Sequence, residues 1–188
     1  KIFLFIKILL KKPKNFQKLV VYLPNILTAS RLLLVFPLIF FLEIKRHYFV
    51  FILIIIGGLT DFFDGLIARK LNLKSKLGAI LDPLSDKIFY LIPLVYLCVN
   101  NLIPFWSLSL ILFREFIISC FRTTTKDGLP ASMLGKFKTS FFFLSLIFFF
   151  LPLEINFTND LGLFFYWLGF LLTFATFINY LRFKKNVV

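Results

Sequence analysis

Four aspartates lie close together in this chain beside long apolar runs: Asp61, Asp64, Asp82 and Asp86. The whole sequence has nine acidic residues, so almost half of its negative charge is concentrated here. One carboxylate at the centre of a bilayer costs roughly 2.5–3.5 kcal/mol, and an ionisable cluster at membrane depth is therefore a functional-site hypothesis. Carboxylate oxygens are hard ligands, which favour Mg²⁺ or Mn²⁺ over zinc or copper.

The spacing of these residues predicts how they face. At 3.6 residues per turn, four positions of one run share a helix face: Asp61, Asp64, Gly65 and Ala68. Gly78, Asp82 and Asp86 are each four residues apart and share a face of the following helix. If these two helices are antiparallel, the four carboxylates converge near one membrane surface. Helix capping, or ion pairs with Arg69 and Lys87, is the alternative explanation for any one of these aspartate pairs.

The composition is that of an integral membrane protein. Of 188 residues, 60% are hydrophobic, against about 45–50% in soluble domains. The length fits a bundle of about six spans of roughly 20 residues each, so we predict an all-α membrane protein. Phenylalanine runs, from a total of 29 residues, are interpreted as lipid-facing. Cys98 and Cys120 lie far apart in apolar runs and are interpreted as packing residues, not a disulfide.

Six apolar stretches are predicted to be transmembrane helices: residues 25–43, 48–69, 85–99, 104–122, 138–153 and 161–180. The third helix is expected to begin ahead of its apolar core, around Gly78. Residues 1–22 are predicted to be a basic amphipathic segment, of which residues 1–12 are too short to span and are expected at the membrane interface. Residues 23–188 are predicted to form one membrane domain, because no repeat or linker is visible in them.

The net charge of +13 is distributed unevenly over the predicted loops. Basic residues fill the N-terminal segment, the loops after the second and fourth stretches, and the C-terminus, whereas the opposite loops contain only Lys45 and Arg46. The positive-inside bias therefore places both termini and the aspartates on the cytoplasmic side. In so apolar a chain, the positive charge indicates anionic headgroups and phosphate substrates rather than nucleic acid.

The aspartate spacing also resembles a family motif. The pattern Asp61-x2-Asp64-Gly65-x2-Ala68-Arg69-x8-Gly78-x3-Asp82-x3-Asp86 is similar to that of the CDP-alcohol phosphotransferase family at every defined position. The resemblance implies a six-helix membrane fold, a homodimer and a metal site at the cytoplasmic interface. It also implies a donor substrate in which the transferred group is linked to cytidine diphosphate.

The resemblance implies a role for each matching residue. Asp61, Asp64, Asp82 and Asp86 are expected to bind Mg²⁺ or Mn²⁺, as two ions that bridge the diphosphate. By the same resemblance, Asp86 is expected to be the general base. A carboxylate is the available proton acceptor, because the only histidine, His47, maps to the opposite side of the membrane. Contacts to the cytidine diphosphate portion are expected from Asn25, Thr28, Asp64, Gly65, Arg69, Ser75 and Gly78.

Four segments indicate which alcohol is the acceptor: residues 23–31, 81–87, 114–122 and 132–139. They resemble bacterial family members that transfer the phosphatidyl group of CDP-diacylglycerol to the 1-hydroxyl of glycerol 3-phosphate, which implies phosphatidylglycerol phosphate and CMP as products. The resemblance also implies the bacterial inner membrane as location. One departure is Phe142, which occupies a position where a glutamine is expected.

The acceptor phosphate is a dianion and needs several cations in one pocket. Five basic residues are predicted to reach the cytoplasmic half: Arg31, Arg114, Arg122, Lys136 and Lys138. Arg31 and Arg114 are the sharpest candidates, because a cation within a span is costly without a partner. For the two arginines, the alternative to phosphate binding is that the side chain snorkels to the membrane surface or forms an ion pair, in the case of Arg114 with Glu115. For Lys136 and Lys138, the alternative is that they only contribute to the positive charge of the cytoplasmic loops. Ser75 and Ser85 are possible minor phosphate contacts, for which a structural role is favoured.

The sequence also allows other functions. Within the same family, the acceptor alcohol is alternatively serine, an inositol phosphate, or phosphatidylglycerol in the formation of cardiolipin. A metal or proton transporter would spread its carboxylates through the membrane depth, whereas these cluster at one side. A membrane scaffold without catalytic activity would not require the full aspartate spacing.

Overall fold

The computed structural model of this protein describes the backbone of residues 14–71, 76–124, 133–153 and 156–185, and side chains within 29–60, 85, 87–119, 135, 137–153 and 157–178. These residues form six helices: α1 Lys14–Glu43, α2 His47–Leu71, α3 Lys76–Val99, α4 Phe105–Thr124, α5 Met133–Phe150 and α6 Asn156–Lys185. No strand occurs among them. The expectation of an all-α protein is therefore confirmed for the described part of the chain.

Contacts between helices show that the chain runs up and down through a bundle. Ser145 Oγ donates to the Gly162 carbonyl at 2.8 Å, and Phe142 of the same helix packs on Gly169, so α5 and α6 are antiparallel. Helix α1 packs against α2 and α3, α2 also packs against α5, and α4 against α6. The glycines of α6 allow close approach, since a Cβ at Gly162 would lie 2.9 Å from the Phe149 ring.

Two tight turns close the bundle at one end. Lys45 follows α1 with φ 54° and Asn101 follows α3 with φ 60°. After them, Arg46 N–H donates to the Phe41 carbonyl at 2.9 Å and Leu102 N–H to the Leu97 carbonyl at 2.9 Å. A left-handed residue followed by this bond is the Schellman ending of a helix, which satisfies carbonyls that would otherwise lack partners.

The interior is apolar and aromatic, and much of the outer surface is apolar too. Leu38, Ile54, Leu94 and Leu146 are among the side chains buried in the core. On α6, large apolar side chains are exposed at seven-residue intervals: Phe157, Phe164, Leu171 and Ile178. Within the described residues, one segment, Phe157–Ile178, is by length and composition able to cross a membrane. Large exposed apolar surfaces are rare in soluble monomers, so this surface fits a lipid environment.

Helix bounds differ from the apolar stretches in the sequence for clear physical reasons. Helix α1 begins at Lys14 rather than near 25 and crosses the expected boundary between residues 22 and 23, because polar residues such as lysine and glutamine are good helix formers. Helix α5 ends at Phe150 rather than at 153, because Pro152 disfavours helical backbone in the residue before it. Residues 1–13, predicted to include the interfacial segment, lie outside the described part.

Candidate functional site

The four aspartates occupy the facing ends of two consecutive helices. Asp61 and Asp64 lie in the C-terminal part of α2, and Asp82 and Asp86 lie in the N-terminal half of α3. Only residues 72–75 separate the two helices. Their carboxylate groups lie outside the described side chains, so convergence of the four groups stays a prediction. We call this end of the bundle, with the last turns of α2 and the first turns of α3, the aspartate end.

A close helix contact lies just inside the aspartate end. A Cβ added at Gly57 would overlap the ring of Phe89, whose side chain is completely buried. Gly57 precedes Asp61 by one helical turn, and Phe89 follows Asp86 by slightly less than one turn. At the other end, the His47 and Tyr96 rings are 6.3 Å apart, so α2 and α3 are antiparallel. The Gly57–Phe89 contact therefore sets the separation of the two backbones that carry the aspartates.

A buried ion cluster lies at the same end of the bundle, centred on Glu115 of α4. Arg114 Nη1 donates to Glu115 Oε1 at 2.7 Å, and Lys138 Nζ from α5 contacts the same oxygen. Lys87 Nζ from α3 lies 3.5 Å from Glu115 Oε2 and donates to Ser119 Oγ. One carboxylate thus joins three helices. We call Lys87, Arg114, Glu115, Ser119 and Lys138 the Glu115 cluster.

A fourth helix is tied to the cluster by Arg114. Arg114 Nη2 donates to Thr176 Oγ1 of α6 at 2.7 Å, and Thr176 Oγ1 donates to the Thr173 carbonyl at 2.9 Å. Thr173 Oγ1 donates in turn to the Gly169 carbonyl at 2.7 Å. Arg114 Nε is buried without a hydrogen-bond partner among the described atoms. Removing one partner of a buried ion pair typically costs about 3–5 kcal/mol, so these bonds fix the relative positions of α3, α4, α5 and α6.

Of the five residues predicted to bind the acceptor phosphate, the structure describes the side chains of three, and all three are buried. Arg114 makes the ion pair with Glu115 that was the alternative to phosphate binding, and Lys138 is buried in the same cluster. Arg31 of α1 is also buried, with 1% of its surface exposed. The side chains of Arg122 and Lys136 lie outside the described part. Binding of phosphate by these five residues stays a prediction.

The predicted cytidine diphosphate contacts fall almost entirely outside the described side chains. Their backbones lie on α1, α2 and α3, except for that of Ser75, which is not described: Asn25, Thr28, Asp64, Gly65, Arg69, Ser75 and Gly78. Ser85, considered as a minor phosphate contact, is completely buried in α3, which fits the structural role favoured for it. Of the cysteines, Cys98 is a half-buried free thiol, and the Cys120 side chain is not described.

Phe142 and His47 lie away from the Glu115 cluster. Phe142, where a glutamine was expected, is completely buried and stacks on Tyr90 with ring centres 5.6 Å apart. It is a core residue in this chain. His47 is the first residue of α2, at the end opposite the aspartates, with its ring 5.6 Å from that of Phe150. We call the end of the bundle opposite the aspartates, with Phe41, His47, Phe49, Tyr96 and Phe150, the aromatic end.

The sequence alone did not identify Glu115 as the centre of a cluster. The sequence indicates Glu115 only as a possible partner of Arg114 and does not place Ser119 or Thr176 beside it. The available signal was that Glu115 is an acid inside an apolar run, where a lone carboxylate is costly and must find cations. The sequence does not indicate which cations, because Lys87 and Lys138 come from other helices.

The donor set at the aspartate end fits a hard divalent cation. Four carboxylates supply oxygen ligands of the kind that Mg²⁺ and Mn²⁺ prefer. No group of three or more histidine, cysteine, aspartate or glutamate side chains forms a metal site within the described residues, a range that does not contain these four carboxylates. Glu115 does not contribute to such a set, because both of its oxygens face cations.

Comparison with known proteins gives a consistent result. A family model described as CDP-alcohol phosphatidyltransferase matches residues 21–175. A Bacillus subtilis protein is 43% identical over 91 residues, 47% of this chain and 47% of its own length, so the match spans about half of that relative. Proteins of Aquifex aeolicus and Wigglesworthia glossinidia brevipalpis are each 38% identical, over 66% and 63% of this chain and 72% and 70% of their own lengths. All three are named CDP-diacylglycerol–glycerol-3-phosphate 3-phosphatidyltransferase.

Proposed function

This chain belongs to the CDP-alcohol phosphatidyltransferase family, and we propose that it transfers the phosphatidyl group of CDP-diacylglycerol to glycerol 3-phosphate. The products are phosphatidylglycerol phosphate, which stays in the membrane, and CMP. The observation that carries this proposal is that relatives 34–43% identical share one name, which specifies this donor and this acceptor. The buried cations of the Glu115 cluster, at the same end as the aspartates, fit an acceptor that carries a phosphate.

The reaction needs a proton acceptor near the acceptor hydroxyl, and we assign this role to Asp86. Its carboxylate takes the proton of the 1-hydroxyl of glycerol 3-phosphate while that oxygen attacks the β-phosphorus. The bond from this phosphorus to the CMP oxygen breaks, and CMP leaves. His47 does not compete for the role, because it lies at the aromatic end. Asn25, Thr28, Gly65, Arg69 and Gly78 orient the cytidine diphosphate portion, together with Asp64 and Ser75.

Members of this family are in general dependent on a divalent metal. In this chain Asp61, Asp64, Asp82 and Asp86 would hold it, as two Mg²⁺ or Mn²⁺ ions. When bound, such ions supply the charge neutralisation that a diphosphate needs in order to release a nucleotide. The protein contributes by holding the two aspartate-bearing helices at a fixed separation, which the Gly57–Phe89 contact sets within one turn of Asp61.

The family is bound to membranes, and we propose that all six helices cross the bilayer. The shortest, α5, has 18 residues and is therefore about 27 Å long at 1.5 Å per residue, close to the hydrocarbon thickness. The basic loops support a cytoplasmic position for both termini and for the aspartate end. CDP-diacylglycerol then enters laterally, with its acyl chains in the lipid of a bacterial inner membrane. We also propose that the protein is a homodimer.

The acceptor pocket is proposed to lie beside the aspartates at the cytoplasmic surface. Five cations supply it with positive charge: Arg31, Arg114, Arg122, Lys136 and Lys138. Support comes from Arg114 and Lys138, which contact the same carboxylate oxygen although they lie on different helices. A dianionic phosphate is best bound by such convergent, charge-assisted donors.

The activity is tested with purified protein in detergent, labelled CDP-diacylglycerol and a panel of acceptors in the presence of Mg²⁺. The panel contains glycerol 3-phosphate, serine, inositol phosphate and phosphatidylglycerol. We expect turnover with glycerol 3-phosphate alone, with release of one CMP for each lipid product. Turnover with serine or phosphatidylglycerol and none with glycerol 3-phosphate would reassign the acceptor within the family.

The pocket is tested by comparing two arginines at opposite ends of the bundle. We expect Arg31→Gln to raise the KM for glycerol 3-phosphate and to leave the KM for CDP-diacylglycerol unchanged. Arg46→Gln is the matched control, because Arg46 is exposed and lies at the aromatic end. An unchanged acceptor KM in Arg31→Gln would show that the phosphate binds elsewhere.

A further inference from the structure

Glu115 is surrounded by cations that approach both of its oxygens. Oε1 accepts from Arg114 and Lys138, and Oε2 lies 3.5 Å from Lys87 Nζ. The side chains of Glu115 and Lys138 are each 5% exposed, that of Arg114 is 9% exposed, and that of Lys87 is 24% exposed. Because cations engage both of its oxygens, this carboxylate lacks the free acceptor capacity of a catalytic base or a metal ligand.

The cations around Glu115 retain donors that it does not use. An ammonium group has three N–H donors and a guanidinium has five. Lys138 uses one such donor on Glu115, and the Nε of Arg114 has no hydrogen-bond partner within the part of the chain that the structure describes. Among the described side chains, three positive groups also share a single negative group. An anion with several acceptor oxygens would satisfy both the spare donors and the excess charge.

We propose that Glu115 is a positioning residue, whose carboxylate holds Lys87, Arg114 and Lys138 at the separations needed to receive the phosphate of the acceptor alcohol. Glu115 itself does not touch the substrate. The inference rests on the proposed function, because it assumes an acceptor that carries a phosphate. The proposal places a negatively charged residue in a site that binds an anion. Charge complementarity alone would not predict a negative charge at that position.

The physical argument is one of preorganisation. Lysine and arginine side chains lose much rotamer freedom when they are held in one position, and binding that must order them at the same moment is weaker. Glu115 removes this cost in advance by fixing three cations from three helices. Without it, the cations repel one another and turn to other acceptors, so the phosphate meets a disordered set of donors. The proposal requires this loss to exceed the electrostatic attraction gained by deleting one negative charge.

The main experiment compares Glu115→Gln with wild-type protein in steady-state kinetics. We expect the KM for glycerol 3-phosphate to rise roughly 10- to 100-fold, the range of losing one or more charge-assisted hydrogen bonds. The kcat at saturating acceptor and the KM for CDP-diacylglycerol are expected to change by about twofold or less, because the aspartates are untouched. Glu115→Asp keeps the charge and is expected to have a KM for glycerol 3-phosphate between those of wild type and Glu115→Gln.

Glu43→Gln is the matched control, since Glu43 is an exposed carboxylate at the end of α1, at the other end of the bundle. A purely structural counter-ion would lower the melting temperature of Glu115→Gln and leave the KM of the folded protein unchanged. An unchanged or lower KM for glycerol 3-phosphate would therefore overturn the proposal. If the wild-type protein shows no turnover with any acceptor that carries a phosphate, the proposed function itself fails. This result is distinct from an unchanged KM in Glu115→Gln.

A second variant decides the question if Glu115→Gln does not fold. Thr176→Val keeps every charge and nearly the same shape, but it removes the hydrogen bond from Arg114 Nη2. We expect the KM for glycerol 3-phosphate to rise about three- to tenfold, less than in Glu115→Gln because Arg114 keeps its ion pair with Glu115, with kcat retained. An acceptor KM equal to that of wild type in this folded variant would contradict the positioning of Arg114.

Discussion

The two ends of this helical bundle are held together by different forces. At the aspartate end, the Glu115 cluster joins α3, α4 and α5 by ion pairs, and Arg114 extends the connection to α6. At the aromatic end, the ring of His47 packs 6.3 Å from Tyr96 and 5.6 Å from Phe150, and α1 and α3 end in tight turns. Directional polar bonds fix atoms at one end, whereas ring packing and backbone turns fix helices at the other.

This difference matches the work proposed for each end. Transfer of a charged group requires positioned charges, and charges inside an apolar bundle must be paired with one another to be tolerated. Ring packing has no such requirement and supplies stability without chemistry. We therefore expect changes at the aspartate end to act mainly on turnover and changes at the aromatic end to act mainly on stability.

Removal of divalent metal is expected to have the largest effect. Exhaustive chelation should abolish turnover of wild-type protein, because the charge of the diphosphate is then not neutralised. Addition of Mg²⁺ or Mn²⁺ should restore it, and helical content measured by circular dichroism should stay constant throughout. Full activity after chelation would remove the metal from the reaction and leave the aspartates without their proposed role.

Asp86→Asn is expected to have the next largest effect. Loss of a general base typically costs about 10²–10⁴-fold in rate, so kcat in detergent with Mg²⁺ should fall by that factor while the protein stays folded. Asp160→Asn, an exposed carboxylate near the start of α6 at the other end, serves as control and should keep the wild-type rate. A wild-type rate in Asp86→Asn would contradict the assignment of the base.

Gly57→Ala tests how strongly the helix separation governs the aspartates. The new Cβ would overlap the buried ring of Phe89, so either this ring or the backbones of α2 and α3 must shift near Asp61. A misplacement of 1 Å can cost about 100-fold in rate, and for a smaller shift we expect kcat to fall about tenfold.

Gly58→Ala is the matched control for this change, since its Cβ would lie 3.7 Å from the Phe143 ring, an ordinary contact. We expect it to keep nearly the wild-type rate. Equal rates for the two variants would mean that the close contact at Gly57 does not position the site.

Phe150→Ala tests the opposite end. Phe150 is 1% exposed, and truncating a buried phenylalanine typically costs about 3–5 kcal/mol of stability. We expect a clear drop in melting temperature but an unchanged rate for each folded molecule, measured below the new transition. A loss of kcat without a loss of stability would mean that the two ends are coupled.

His47→Gln is expected to have the smallest effect. His47 is exposed and makes ring contacts only with side chains of the aromatic end among the described residues. Turnover should stay within about twofold of wild type, because loss of a general base would instead cost about 10²–10⁴-fold. A rate loss of that size would mean that His47, and not Asp86, is the general base.

Much of the architecture was predictable from patterns along the chain. Apolar runs gave six helices in the correct order, because each run must be buried or face lipid over its whole length. The bounds were less predictable, since α1 also includes residues 14–24, in which polar and apolar side chains are mixed. The aspartate spacing predicted the family, which the match over residues 21–175 then established.

The Glu115 cluster was not predictable in the same way. Arg114 and Glu115 are neighbours in sequence, which makes their pairing predictable, but Lys87, Lys138 and Thr176 lie on three other helices. Which residues of different helices meet depends on the rotation and separation of those helices, and these follow from packing over the whole bundle. Phe142 illustrates the same limit, because its burial against Tyr90 is a property of the packed core.

The sequence by itself determined the helices, their order and the aspartate motif, because hydrophobicity and residue spacing are local properties. The tertiary structure decided which cations share Glu115 and how closely α2 approaches α3 at Gly57. The physical reason is that a buried charge is stabilised only by its neighbours in space, and for Glu115 two of these neighbours come from other helices.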